Sequence, residues 1–120
     1  MKPHIDATSF GSITIGGEEY NYDVVIDASG AVHERQKKLS KKVTGTSHIV
    51  SKDEAKHLLN QGAERLIIGT GQSGVVRLSD EAVAHLREKG CAVSLAPTAE
   101  AIDLYNAAAE PVAAMFHLTC

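Results

Sequence analysis

From Ser51 onward, short apolar segments alternate with amphipathic ones, and this alternation restricts the possible folds more than any other feature. The apolar segments cover residues 66–68, 91–95 and 112–118. Apolar strands separated by amphipathic helices are typical of a parallel sheet with right-handed crossover connections, because helices then cover both faces of the strands. We therefore predict a parallel strand–helix–strand–helix–strand unit in this part of the chain.

Three helix starts are predicted in the same region. Ser51 and Glu54 form a capping box, in which Ser51 accepts a bond from a first-turn amide and Glu54 reaches back. Ser79 is the predicted cap of the second helix, which ends at Gly90, and Thr98 is the predicted cap of the third. The helices are thus predicted between the apolar strands, as the parallel unit requires.

The first third of the chain has the pattern of antiparallel strands. Residues 9–15 and 18–26 are predicted strands joined by the turn Gly16-Gly17, and a short strand follows near 31–33. His4 is expected to lie in a floppy terminus. The predicted fold class is α/β, a single layered domain spanning residues 1–120, with an N-terminal β-meander ahead of the parallel unit.

Composition excludes several classes of protein. Aromatic residues make up 4% of the chain and tryptophan is absent, which disfavours a base-stacking surface for nucleic acid. No apolar segment approaches the roughly 20 residues needed to span a bilayer. The two cysteines are expected to be free thiols in a reducing compartment, and the N-terminus resembles neither a signal nor a transit peptide. A cytoplasmic protein without membrane contact is expected.

A basic segment, RQKKLSKK, covers residues 35–42 and contains no acidic residue, although the chain has a net charge of −3. Such a run is typical of a solvated connection. The alternative is a candidate anion patch formed by Arg35, Lys38, Lys41 and Lys42. Nucleic acid is the less favoured partner for this patch.

Residues 69–74, GTGQSG, follow a predicted strand and match the dinucleotide pattern G-x-G-x-x-G. A dinucleotide site also needs a helix that starts within the motif and an acidic residue at the end of the next strand. Here residues 75–78 precede the predicted helix cap, and the next strand ends at Leu95-Ala96-Pro97. Val75-Val76 occupies the place of the P-loop Lys-Ser/Thr. We therefore predict no nucleotide cofactor.

A weaker prediction concerns the edge where the parallel strands end. Ligands gather beyond the carboxyl ends of such strands, and amides in glycine turns favour anions. His48 could serve there as acid, base or anion ligand, or as a loop histidine bonded to backbone carbonyls. The alternative is a tight turn without a ligand. The candidate residues for a small anionic ligand or a partner are Gly69, Thr70, Gly71, Gln72, Gly74, Pro97, Thr98 and His48.

Metal and nucleophilic sites are not indicated. The six histidines lack metal-ligand spacing, and His117 with Cys120 supplies at most half of a site. On one strand these two side chains would face opposite sides. We predict no metal and assign no catalytic residue.

Several short motifs together resemble one small family of α/β domains. That family includes the eukaryotic adipogenesis-associated domain protein and, more distantly, an assembly factor of mitochondrial respiratory complex I. The motifs are Phe10-Gly11 with Ile13, Ile15 and Gly16, then Tyr20, Asp23-Val24, residues 45–48 and 67–71, Pro97-Thr98, Tyr105-Asn106 and residues 116–120.

The resemblance implies a compact layered α/β domain and, from the eukaryotic members, protein partners rather than catalysis. Because the chain lacks a transit peptide, a role in respiratory complex assembly is not expected. Three hypotheses follow: an interaction or assembly domain that binds proteins or forms a homodimer, a small-molecule site at the glycine-rich turn, and nucleic-acid binding through the basic segment.

Overall fold

The computed structural model describes residues 2–109 and 111–120 and places four helices and ten strands among them. The helices are α1 (Lys38–Thr44), α2 (Lys52–Leu59), α3 (Asp80–Glu88) and α4 (Thr98–Ala107). The strands are β1 (Ile5–Ser9), β2 (Ser12–Ile15), β3 (Glu18–Tyr20), β4 (Val24–Ile26), β5 (Val32–Glu34), β6 (Ile49–Val50), β7 (Arg65–Thr70), β8 (Arg77–Leu78), β9 (Ala92–Ala96) and β10 (Val112–His117).

A mixed five-stranded sheet organises the fold, in the order β5-β4-β10-β7-β9. The central strand β10 runs parallel to β7, with Met115 beside Ile68, and antiparallel to β4, with Met115 beside Val25. β7 is also parallel to β9. The predicted α/β class, with antiparallel strands first and a parallel unit after them, is confirmed.

Both faces of this sheet are covered, which explains the nearly uniform apolar character of β10. Successive side chains of a strand point to opposite faces. Ala114 and Phe116 therefore join one buried cluster, and Ala113 and Met115 join the other. The first cluster lies against α4 and the β1–β3 sheet, and the second lies against α2 and α3.

The N-terminal strands differ from the prediction. A turn at residues 10 and 11 breaks the predicted strand 9–15, so that Ser9 ends β1 and the residues after the turn form β2, which pairs antiparallel with β1. Asn106 on α4 fixes β1, because its amide group accepts from the Ile5 amide at 3.0 Å and donates to the Ile5 carbonyl at 3.0 Å. The predicted strand 18–26 breaks at residues 21–23, so β3 and β4 lie in different sheets.

The basic segment is not a solvated connection throughout, since its second half forms α1. Ser40 lies on the inner face of this helix and is fully buried, whereas Lys41 and Lys42 are exposed. The sequence did not predict this helix because α1 has no apolar stripe. The buried residue among its seven is Ser40, a polar side chain, rather than an aliphatic one. A polar buried surface must therefore lie opposite α1.

The predicted helix caps are confirmed at Ser51 and Ser79, whose hydroxyls accept from the amides of Glu54 and Ala82. Thr98 is not a cap. It is the first residue of α4, and Pro97 precedes it without a side-chain bond to the helix. The threonine hydroxyl is used elsewhere, against the glycine-rich turn described next.

Candidate functional site

The glycine turn, residues 69–74, holds the C-terminal segment, residues 118–120. The amide of Gln72 donates to the Thr119 carbonyl at 2.7 Å, and the amides of Ser73 and Val75 donate to the Cys120 carbonyl at 3.0 and 3.3 Å. An anion-binding turn would present such amides to a ligand. Here these three donors are engaged within the chain, so they are not directed at an anion.

Two glycines of this turn are explained by close contacts. A Cβ on Gly71 would lie 2.3 Å from the carbonyl carbon of Cys120, and a Cβ on Gly69 would lie 2.7 Å from the Phe116 ring. Gly71 also has a φ of +108°, a conformation that glycine adopts readily. The nucleotide-like spacing therefore reflects packing against β10 and the C-terminal segment.

The fold brings most of the predicted site residues together. Thr98 Oγ1 accepts from the Gly71 amide at 3.0 Å and donates to the His117 carbonyl at 2.6 Å, and Pro97 lies beside Gly74. The ring of His48 packs edge-on against the ring of His117, with 5.3 Å between their centroids. These candidate residues surround the end of β10.

Beneath them lies a buried charge cluster formed by Asp23, Arg35, Glu54 and His117. Arg35 Nε donates to Glu54 Oε2 at 2.7 Å, and Arg35 Nη1 donates to Asp23 Oδ2 at 2.9 Å. The same Asp23 oxygen lies 2.7 Å from His117 Nδ1. Ser40 of α1 completes the cluster by donating to Glu54. Side-chain exposure of Asp23, Arg35, Glu54 and His117 is at most 3%.

This cluster corrects two predictions. Arg35 does not belong to an anion patch, because its guanidinium is buried against two carboxylates and the Ser47 carbonyl. Glu54 does not reach back to the cap of α2, because its carboxylate binds Arg35 and Ser40 instead. The sequence could not assign either partner of Arg35, since the paired residues are 12 and 19 positions apart.

Without Arg35, the predicted anion patch consists of Lys38, Lys41 and Lys42. Lys38 and Lys41, with Gln36 and Lys37, line a surface cleft of about 460 Å³ beside Arg35 and Glu34. Lys42 points elsewhere, with its Nζ 3.9 Å from a carboxylate oxygen of Asp53. We call this cleft the lysine cleft.

Asp23 and His117 were not predicted as site residues, although the sequence places each of them, as a polar residue, next to or within an apolar segment. Asp23 directly precedes the apolar run 24–26, and His117 interrupts an otherwise apolar strand. A polar group in such a place must find a partner when it is buried. That requirement pointed to a polar network, but only the fold shows that the two residues bind each other.

The Asp23 carboxylate is stabilised in its charged form. Burial alone would raise its pKa, but the hydrogen bond and charge of His117, the Leu118 amide and Arg35 outweigh burial and lower the pKa to about 2. The Leu118 amide donates to Asp23 Oδ1 at 2.9 Å, so the carboxylate also anchors the C-terminal segment.

The lowered pKa of Asp23 predicts acid-dependent stability. With a normal value of 3.8 in the unfolded chain, Asp23 stabilises the fold above about pH 4, and this contribution is lost as the pH falls towards 2. We expect a loss of about 2 kcal/mol over that interval. Urea unfolding at a series of pH values should show a shallower pH dependence for Asp23→Asn. An unchanged slope in that variant would contradict the assignment.

The imidazole of His117 joins the carboxylate to a hydroxyl, since Thr119 Oγ1 lies 3.1 Å from Nε2. Hydrolases use a carboxylate–imidazole–hydroxyl series, together with amides that bind the developing oxyanion. In this protein the neighbouring turn amides bind the chain itself. Among the described residues, no group of three or more His, Cys, Asp or Glu could hold a metal ion.

The fold and this site define a small α/β domain in which a buried polar cluster binds the end of the central strand β10. The chain belongs to the family described as protein of unknown function (DUF498/DUF598), whose model matches residues 5–117. No helix among the described residues is long and apolar enough to cross a membrane.

Solved structures support the same assignment. The conserved hypothetical protein PH1505 from Pyrococcus horikoshii OT3 is 34% identical, with a TM-score of 0.90 and complete coverage of both chains. MT938 is also 34% identical, with a TM-score of 0.84 over 99% of this chain and 100% of that one. A Bordetella pertussis protein described as an Mth938-like domain shares the fold at 19% identity and a TM-score of 0.65, over 97% of this chain and 85% of that one.

Proposed function

We propose that the protein is a non-enzymatic interaction domain that binds another protein through a surface at the end of β10. This rim surface consists of Phe10, Gln72, Val75, Pro97 and Cys120. The observation that carries the proposal is Phe10, a large aromatic side chain that is 71% exposed. Aromatic anchors of this kind dominate the energetics of protein interfaces.

The rim surface is held in place by hydrogen bonds to main-chain carbonyls. Gln72 Nε2 donates to the Ser9 carbonyl beside Phe10 at 3.1 Å, and the Val75 amide donates to the Cys120 carbonyl. Val75 is 47% exposed, so a second apolar side chain is available next to the C-terminal segment. A fixed surface loses little conformational freedom on binding, which favours affinity.

The resemblance to the family of the adipogenesis-associated domain protein supports the same proposal, because its eukaryotic members suggest protein partners. We place the domain in the cytoplasm. Respiratory complex assembly is not part of the proposal.

The test is affinity capture from the native host with wild-type protein and with Phe10→Ser. We expect at least one protein that wild type enriches and Phe10→Ser loses. Phe10 is exposed, so the substitution should change the free energy of unfolding by no more than about 0.5 kcal/mol.

Val43→Ser is the matched control, because Val43 is 62% exposed and lies on α1. It should retain the partner that Phe10→Ser loses. Repeated captures in which no protein distinguishes Phe10→Ser from Val43→Ser would contradict the proposal.

A second candidate function is the binding of a small anion, favoured by the lysine cleft rather than by the glycine turn. Lys37, Lys38 and Lys41 line this cleft, and Arg35 beside them is already neutralised by carboxylates. Titration with inorganic phosphate should shift the amide resonances of residues 36–41 in wild type and not in Lys38→Ala/Lys41→Ala. Equal shifts in both proteins, or none in wild type, would exclude this candidate.

A further inference from the structure

The lysine cleft and the rim surface are neighbours in the fold, because Asp23 lies between them. Lys37 Nζ lies 3.8 Å from Asp23 Oδ2, and the other oxygen of this carboxylate accepts from the Leu118 amide at 2.9 Å. The Leu118 carbonyl accepts in turn from the Gly11 amide at 2.9 Å, which fixes the turn that carries Phe10. One binding partner can therefore reach both surfaces.

A second exposed aromatic side chain lies near the same end of the molecule. Tyr22 directly precedes Asp23 and is 43% exposed, and its ring packs edge-on against Tyr20 with 6.0 Å between the centroids. In the register of β2 with β3, Ile13 lies opposite Tyr20, so the chain leading to Tyr22 runs beside the turn that carries Phe10. Aromatic side chains of this kind bind apolar side chains of a partner.

The surface of the lysine cleft is positively charged. Lys38 and Lys41 are exposed and lie three residues apart on α1, so their side chains share one face of the helix. Lys37 adjoins them in the cleft, and Glu34 is the acidic side chain that lines it. Three cations therefore face one anion around the same opening.

The buried charges beneath the cleft do not cancel this excess. Asp23 and Glu54 share the guanidinium of Arg35, so their cluster carries at most one unmatched negative charge. Lys37 and His117 approach Asp23 at 3.8 and 2.7 Å. When this charge and the acidic residue of the cleft are both counted, the three lysines still leave the cleft cationic.

The kind of cation in the cleft favours carboxylates over nucleic-acid phosphates. Arginine binds phosphate most specifically, through paired hydrogen bonds, but Arg35 is already bound to Asp23 and Glu54. Residues 35–42 hold five of the twelve basic residues and no acid, so the rest of a chain with net charge −3 sums to −8. That charge repels a long polyanion. A short acidic segment meets mainly the lysines, because charges beyond about 8 Å are screened at physiological ionic strength.

We propose that the protein partner binds through an acidic segment, which places Asp or Glu side chains in the lysine cleft and a neighbouring apolar side chain on Phe10 and Tyr22. The carboxylates pair with Lys38 and Lys41, and the aromatic side chains anchor the apolar residue. Charge complementarity selects this partner, because a basic or neutral segment gains nothing from the cleft. The inference rests on the proposed function and specifies the chemistry of the partner.

Peptide display with the purified chain tests the chemistry of the partner. A random peptide library is selected on wild-type protein, and the enriched peptides are labelled and measured by fluorescence anisotropy. We expect these peptides to be rich in Asp and Glu beside an aromatic or aliphatic residue. Replacing their acidic residues with the corresponding amides should raise the Kd at least roughly tenfold. The Kd should also rise with salt concentration, because the charge pairs are exposed.

Lys38→Glu/Lys41→Glu should raise the Kd of the same peptides at least roughly tenfold, because it places like charges opposite each other. Lys56→Glu/Lys89→Glu is the matched control, since it makes the same change in net charge at two exposed lysines that line a different cleft. We expect the control to bind with nearly the wild-type Kd.

Phe10→Ser distinguishes a failure of this inference from a failure of the proposed function. We expect it to weaken the peptides at least roughly tenfold as well. Peptides that depend on Phe10 but not on the lysines overturn the acidic partner and leave the rim surface in place. Peptides that depend on the lysines but not on Phe10 contradict the rim surface and the joint binding mode. A selection that enriches no peptide, or only peptides without acidic residues, overturns the inference. So does labelled single-stranded DNA that binds wild type more tightly than every selected peptide.

Discussion

Replacing Arg35 with methionine is expected to destabilise the protein by about 3 to 5 kcal/mol, because two buried carboxylates lose their shared cation. Asp23 and Glu54 both accept hydrogen bonds from the guanidinium, and both are buried. Small domains have roughly 5 to 15 kcal/mol of stability, so the variant should lie close to unfolding. Urea unfolding at neutral pH measures the loss.

Lys37→Met is the matched control, because it removes a neighbouring cation with its Nζ 3.8 Å from Asp23 and its side chain 41% exposed. We expect it to cost no more than about 1 kcal/mol. Adding Asp23→Asn and Glu54→Gln to Arg35→Met should recover part of the loss, since the buried charges are then removed. A loss in Arg35→Met no larger than that in Lys37→Met would show that the cluster is not structural.

Gly71→Ala is expected to release the C-terminal segment from the glycine turn. A φ of +108° alone disfavours alanine by about 1 to 2 kcal/mol, and the new Cβ would lie 2.3 Å from the Cys120 carbonyl carbon. Relieving that overlap breaks the bonds from Gln72 and Ser73, each contributing about 1 kcal/mol. The total destabilisation should be roughly 3 kcal/mol or more.

Gly45→Ala is the control, because Gly45 has a φ of +81° and nothing within 4 Å of its Cβ position. It should cost only about 1 to 2 kcal/mol, from the backbone alone. Amide exchange at Gln72 and Ser73, the donors to the Thr119 and Cys120 carbonyls, should accelerate in Gly71→Ala and stay unchanged in Gly45→Ala. Equal destabilisation of the two variants, with the Gln72 and Ser73 amides still protected in Gly71→Ala, would refute the packing role of Gly71.

Much of the fold was predictable because it depends on local patterns. The caps at Ser51 and Ser79 and the apolar runs near β7, β9 and β10 correctly located the parallel unit. The errors lie where tertiary contacts override the pattern. β1 depends on Asn106, about a hundred residues away, and α1 turns Ser40 towards Glu54. Neither contact can be predicted from the spacing of apolar residues along one helix or strand, because each joins residues far apart in the sequence.

The site was predicted in part, since Gly71, Thr98 and His48 do meet around the end of β10. Its chemistry was not predicted, because the same basic segment supplies one buried arginine and several exposed lysines. Only the position of Arg35 between Asp23 and Glu54 separates it from Lys38 and Lys41. The spacing of basic residues in the sequence does not show which of them is buried against carboxylates in the fold.

The place of β10 at the centre of the sheet has a consequence for protein synthesis. Within the described part of the chain, β4 and β7 are joined in the sheet through residues 112–117, which the ribosome adds after both strands. Until those residues emerge, the nascent chain carries two apolar strands with unsatisfied edges, a state that favours aggregation and chaperone binding. A stalled chain that ends before Val112 should therefore remain protease-sensitive, and release of the last strand should complete folding in a single cooperative step.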